Sequence, residues 1–126
     1  MKKEPRKTED MLPLTPAVLH ILLTLADGER HGYGIMQEVT KRAGGQVKMG
    51  PGTLYGSIKR ILADGLIEET GERPDPALDD ERRRYYRLTS LGLRVMQAEV
   101  LRLQEIVRMA QSKQVIGGSE AVGGVS

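Results

Sequence analysis

"MGPGTLYGSIKRILADG", residues 49–65, reads as a helix that breaks its own rules. Leu54, Ile58, Ile61 and Leu62 fall on one side of a 3.6-residue wheel, the stripe expected of a helix lying on a core. Yet Gly50, Pro51, Gly52 and Gly56 crowd its first two turns, where glycine costs ~1 kcal/mol against alanine and an interior proline ~3 kcal/mol. Pro51 is acceptable at the first helical position, because no intrahelical bond needs its missing N–H. The glycines need another reason. Half a revolution from the apolar stripe lie Gly52, Gly56, Lys59 and Ala63, flanked by Thr53, Tyr55 and Arg60. A face so lean and cationic lets something come close to the backbone.

The charge distribution says what that something is. A net charge of +2 is too small to argue for a polyanion, but no acid occurs between Glu38 and Asp64, where Lys41, Arg42, Lys48, Lys59 and Arg60 stand. A basic zone this local is the footprint expected at a phosphate backbone; a solvated helix face is the plainer alternative. The N–H groups of the first turn and the positive helix end suit a phosphate as well.

Length and composition bound the rest. At 126 residues, 39% hydrophobic and 29% charged, the chain fits one soluble domain, and no apolar run approaches the ~20 residues of a membrane span. The opening "MKKEPRKTED" passes into acids and proline instead of a secretory apolar stretch, so a cytoplasmic protein with no membrane partner is expected. The absence of cysteine excludes disulfides, zinc knuckles and thiol nucleophiles. An enzyme is not expected either. "GPGTLYG" lacks the spacing and the lysine of a phosphate-cradling loop, and His20 and His31 have no partner acid or nucleophile set by any motif. His20 reads as a core or boundary residue. The acids at 79–81 lack the turn glycine of a calcium loop, so neither a metal nor a cofactor is implied.

Along the chain, residues 1–13 mix cations and acids without an apolar period and read as a mobile arm. Thr15 and Pro16 then open a helix, "AVLHILLTLA", that is apolar nearly all round and ends at Asp27 and Gly28. Ile35, Met36, Val39 and Ala43 make the stripe of a second helix, closed by Gly44 and Gly45. After the third helix, "LIEET" and "RRRYYRLT" have strand character on either side of an expected loop, "GERPDPALDDE". Thr89 or Ser90 can cap a last helix to about Ser112, with Leu93, Met96, Val100, Leu103, Val107 and Ala110 spaced by three and four alternately. That seam, widened by Val95, Leu101, Ile106 and Met109, suits a helix that packs both on its own domain and on a second chain. The glycine-rich residues 114–126 carry no period and read as a disordered tail.

Three short helices followed by a hairpin is the order of a winged helix-turn-helix, in which the third helix enters the major groove. The expected fold is therefore mostly α with a small β hairpin: a winged helix-turn-helix domain over 14–88 and a long C-terminal dimerisation helix over 89–113. In this reading Gly52 and Gly56 let the helix press on a groove wall, Thr53 and Tyr55 donate to phosphates or base edges, and Lys59 binds guanine or phosphate. Tyr55 covering the core edge is the plainer alternative. Tyr85 or Tyr86 reads as hairpin and core packing.

"HGYGI", "GPGTLYGSIKRILADGLIEE" and "RRRYYRLTSLG" look like the signature blocks of the PadR family of bacterial transcriptional regulators, in order and at the family's separations. The resemblance covers residues 14 to about 110 and is similar to the short branch with a single C-terminal helix. It implies a homodimeric winged-helix repressor whose last helix interlocks with its partner's first and last helices. By motif position it implies Tyr33, Thr53, Tyr55 and Lys59 at DNA, with Arg82, Arg83 and Arg84 serving the wing. Two features depart from the pattern. Glu72, Asp75, Asp79, Asp80 and Glu81 would repel phosphates, so the wing tip is expected outside the groove, with the three arginines at the hairpin base holding the backbone or pairing with those acids. There is also no Trp or Phe, and the four tyrosines all lie in the signature blocks, which leaves a stacked small-molecule effector without support. The functional expectation is a sequence-specific DNA-binding regulator, a repressor acting as a homodimer on a near-palindromic operator. The alternative is a winged-helix module that binds an acidic protein.

Overall fold

The computed structural model describes residues 8–44, 49–75 and 81–117. Four helices, α1 (Pro16–Leu25), α2 (Gly32–Ala43), α3 (Pro51–Ala63) and α4 (Ser90–Ser112), surround a sheet of β1 (Arg30–His31), β2 (Ile67–Asp75) and β3 (Glu81–Leu88). The strands run antiparallel in the order β1-β3-β2. The mostly helical winged fold is as expected. The third strand is not in the sequence reading, because two residues carry no alternation; Arg30 and His31 pair with Tyr86 and Tyr85 of β3.

α1, α2 and α4 each start at a side chain that accepts a hydrogen bond from the first turn. The Thr15 hydroxyl oxygen accepts the Val18 N–H at 3.1 Å and Pro16 occupies the first turn of α1. The Thr89 side chain does the same for Gly92 at 3.0 Å in α4. Gly44, at φ 58°, ends α2 in the left-handed conformation that glycine adopts without penalty. The cap of α2 is less obvious from sequence: His31 Nδ1 accepts the Gly34 N–H at 2.9 Å.

The core joins every helix to the sheet. Val18, Ile21, Leu22 and Leu25 of α1 meet Ile35 and Val39 of α2, Leu54, Ile58 and Ile61 of α3, Leu66, Ile67 and Tyr86 of the hairpin, and Val95 and Met96 of α4. Met96, expected in the intermolecular seam, is thus buried in the protomer's own core.

The expected mobile arm is corrected for residues 8–13. Thr8–Met11 form a 3-10 turn that packs on α4, and Met11, Leu12 and Leu14 lie against the core. What anchors this segment is Glu99, a buried acid inside the α4 heptads. Its carboxylate accepts the Leu14 N–H at 3.1 Å and two hydrogen bonds from Arg102, at 2.6 and 3.1 Å. The Arg102 bonds hold the Glu99 carboxyl below its ordinary pKa, against burial, with the Leu14 N–H adding to them. Residues 1–7 and 118–126, parts of the expected arm and tail, lie outside the described residues.

The hairpin is longer than expected. "GERPD" continues β2 instead of opening the loop, with Glu72, Arg73 and Pro74 opposite Arg84, Arg83 and Arg82. Pro74 is tolerated because β2 is the edge strand, and a bulge between Glu69 and Gly71 resets the register. Arg82–Arg84 therefore stand toward the tip of the hairpin, not at its base. Asp79 and Asp80 lie outside the described residues.

At the junction of α3, hairpin and α4 the backbones approach closely. The Thr89 N–H bonds the Leu66 carbonyl at 3.1 Å, and its hydroxyl donates to the Gly65 carbonyl at 2.6 Å. A Cβ on Gly92 would lie 1.9 Å from the Leu66 carbonyl oxygen. Gly92→Ala must displace backbone, so we expect a loss of about 3 kcal/mol, the upper range for overpacking. Thermal unfolding followed by circular dichroism checks this; an unchanged midpoint would contradict the contact.

Candidate nucleic-acid interface

The apolar stripe of α3 dictates what its other side presents. With Leu54, Ile58 and Ile61 buried, Gly52, Thr53, Tyr55, Gly56, Lys59 and Arg60 are all exposed. A Cβ built on Gly52 or Gly56 meets nothing within 4 Å. No internal contact of the described residues therefore needs these glycines. Gly50, at the cap position, makes no side-chain hydrogen bond to the first turn, whose backbone donors point past a helix end rich in small residues. Thr53, Gly56, Ser57 and Arg60 share a shallow groove with Thr15 and Ala17 at the start of α1.

A second recess joins α3 to the wing. Tyr55 of α3, Gly32 of α2 and Arg82, Arg83, Arg84 and Tyr86 of β3 line it. Tyr55 is 48% exposed, and its hydroxyl oxygen lies 2.9 Å from where a Cβ on Gly32 would be. Gly32 thus lets the tyrosine lie against the first turn of α2 with its other face open. Tyr86 beneath is buried, and burial, with Glu69 behind it, pushes its hydroxyl above the ordinary phenol range and keeps it neutral.

Antiparallel pairing sorts the wing's charges by face. On one, Glu72 lies between Arg82 and Arg84, with Arg82 Nε at 3.1 Å and Arg84 Nε at 3.8 Å from its carboxylate oxygens. On the other, a chain of rings and cations runs back to α2. The Arg73 guanidinium stands 3.9 Å above the Tyr85 ring, Tyr85 meets His31 edge-on, His31 stacks beside Tyr33, and Arg83 covers Tyr33 at 5.4 Å. Arg73 also pairs with Glu29. Tyr33 is half-buried in this chain, and of the two hairpin tyrosines it is Tyr86 that belongs to the core.

The basic zone read from the sequence is only partly available. Arg42 turns back onto α1, donating to the His20 carbonyl at 3.2 Å and the Thr24 hydroxyl at 2.8 Å, and pairs with Glu38. Lys48 lies outside the described residues. Lys41, Lys59 and Arg60 are exposed. Glu72 pairs with Arg82 and Arg84, one of the two arrangements expected of the wing acids, whereas His31 and Arg73 have roles that the sequence does not announce. Histidine is an uncommon cap, and Pro74 masks the strand that carries Arg73. Among the described residues no group of histidines and carboxylates is placed to hold a metal, and no helix is long and apolar enough to cross a membrane.

The model of the transcriptional regulator PadR-like family matches residues 19–98, from α1 into α4. The chain belongs to the PadR-like family. A transcriptional regulator of Mycobacterium tuberculosis is 33% identical over 106 residues, which cover 84% of this chain and 88% of that protein. Among solved structures, a PadR family transcription regulator of Clostridium difficile shares the fold with a TM-score of 0.65 at 22% identity, over 79% of this chain and 99% of its own. Bacillus subtilis PadR, solved in complex with operator DNA, matches with a TM-score of 0.60 at 20% identity, over 70% of this chain and 48% of that one. PadR-like proteins are transcriptional regulators and not enzymes, and this chain is a PadR-like transcriptional regulator.

Proposed function

We propose that this PadR-like chain is a cytoplasmic, sequence-specific DNA-binding repressor that acts as a homodimer on a near-palindromic operator. The observation that carries the reading is the outward side of α3, where Gly52 and Gly56 face open space between Thr53, Tyr55, Lys59 and Arg60. In the complex α3 lies in the major groove, its glycines against the groove wall and its first-turn donors at a phosphate. Thr53, Tyr55, Lys59 and Arg60 contact base edges and backbone, while Arg82–Arg84 and Tyr33 hold the flanking strand at the recess beside the wing. That Bacillus subtilis PadR was solved in complex with operator DNA supports the reading that this fold binds a duplex.

The distal half of α4 supplies the second subunit's contact. Val100, Leu103 and Val107 are 43%, 37% and 45% exposed there, Ala110 is half-buried, Ile106 and Met109 widen the apolar surface, and Leu93, 42% exposed, adds to it from the first turn. A second copy covers such a surface by the same seam on both sides. Two α3 helices then meet successive major grooves about 34 Å apart.

Lys59→Ala is expected to weaken binding to the DNA upstream of the chain's own gene by ~1 to 3 kcal/mol if the lysine reads a base, or to reduce the salt slope by ~0.9 if it meets a phosphate. Fluorescence anisotropy at two salt concentrations separates the two, and an unchanged titration at both would count against the reading. If wild-type protein instead binds no duplex but captures an acidic protein, the domain is an interaction module. Leu103→Asp buries one charge from each copy in the seam and is expected to yield monomers in sedimentation velocity. A stable mutant dimer would place the interface elsewhere.

A further inference from the structure

We infer that Glu72 is an internal competitor for DNA phosphate, which masks Arg82 and Arg84 in the free protein and holds down binding to unselected sequence. The inference rests on the DNA-binding reading above. Arg82 and Arg84 are alternate residues of β3, so both project from one face, and that face carries Tyr86 into the recess shared with Tyr55. Glu72 is the direct partner of Arg84 across the ladder. Its two carboxylate oxygens are divided between the guanidiniums, at 3.1 Å for Arg82 and 3.8 Å for Arg84, and Arg82 spends a further donor on the Glu72 carbonyl at 2.9 Å. One anion thus sits between two cations, as a phosphate oxygen pair would.

The exposure of the three groups sets what this contact can do. The side chains of Arg82, Arg84 and Glu72 are 60%, 67% and 47% exposed, so solvent screens the pairs and they contribute little to folding. Their release is correspondingly easy. A duplex backbone entering the recess has only to exchange one anion for another, but the displaced carboxylate then remains beside the phosphates and opposes them. Binding to arbitrary sequence depends almost wholly on charge and feels this opposition directly. Arg87 and Glu68, paired at 2.8 Å nearer the base of the same hairpin, do not line the recess and provide an internal comparison.

The test measures binding of the full-length chain to a scrambled duplex, and to one from upstream of its own gene, over a range of salt. Glu72→Gln removes the charge and keeps the shape. It is expected to tighten the scrambled duplex several-fold at low salt, and to steepen the slope of log Kd against log salt by about 0.9 for each arginine that gains a phosphate. Glu68→Gln removes the same charge elsewhere and is expected to leave the slope unchanged. Equal steepening by both variants would reduce the effect to net charge and overturn the inference. An unchanged or weaker Glu72→Gln would overturn it as well, showing that the carboxylate positions the arginines instead of masking them. If wild-type protein binds neither duplex at any salt, the DNA-binding reading itself falls and this inference falls with it.

Discussion

Burial of Leu54, Ile58 and Ile61 beneath α1 fixes the rotation of α3 about its axis, and almost everything outside the core follows from that rotation. Each of these side chains stabilises the fold by ~1.5 to 3 kcal/mol when fully buried, so together they outweigh the ~1 kcal/mol that each glycine costs the same helix. The helix can therefore carry Gly52 and Gly56 without losing its place. A turn of α3 by one residue would bring Tyr55 or Lys59 toward the core and expose an isoleucine. The lean face is held outward by the apolar face, and the backbone is accessible only because the opposite side is so firmly packed.

The same logic explains what the sequence made legible. The all-round apolar run of α1, the stripes of α2, α3 and α4, the cap at Thr15, the choice of Thr89 or Ser90 for α4 and the exposed face of α3 are all local patterns, and the periodicity of residues 51–63 is enough to separate its inside from its outside. Long-range partners were not legible in this way. Met96 fits the heptad spacing of α4 as well as Leu103 does, and only its burial in the core cluster shows that it belongs to the protomer. Arg42 reads as one more cation until its bonds to His20 and Thr24 on α1 are seen. Glu99 breaks an apolar pattern, and although Arg102 stands one turn along the same helix, nothing local shows that the distant Leu14 N–H also satisfies it. Pro74 reads as the start of a loop because proline is excluded from central strands, yet an edge strand accommodates it.

The wing and the distal half of α4 both place surface groups where a single folded chain does not use them. Along β3 the charges alternate between a face that leans on Glu72 and a face that continues the rings of His31, Tyr33 and Tyr85, so the hairpin is tied to the start of α2 by stacking and to β2 by charge. This braces a two-stranded ribbon that would be only marginally stable alone. In α4 the bracing ends near Glu99, and beyond it Leu101, Leu103, Ile106, Val107 and Met109 are exposed. One end of the helix is thus built into the domain, and the other keeps its apolar side chains exposed.

The central claim is that Gly52 and Gly56 serve an outside partner and not the fold. The most direct measurement pairs the thermal stability of Gly56→Ala with its affinity for the upstream duplex. Because open space surrounds the added methyl group and alanine favours helix, stability should hold or rise by up to ~1 kcal/mol, while DNA affinity falls at least tenfold, ~1.4 kcal/mol or more. A variant that gains stability and binds the duplex as tightly as the wild-type chain would contradict the account.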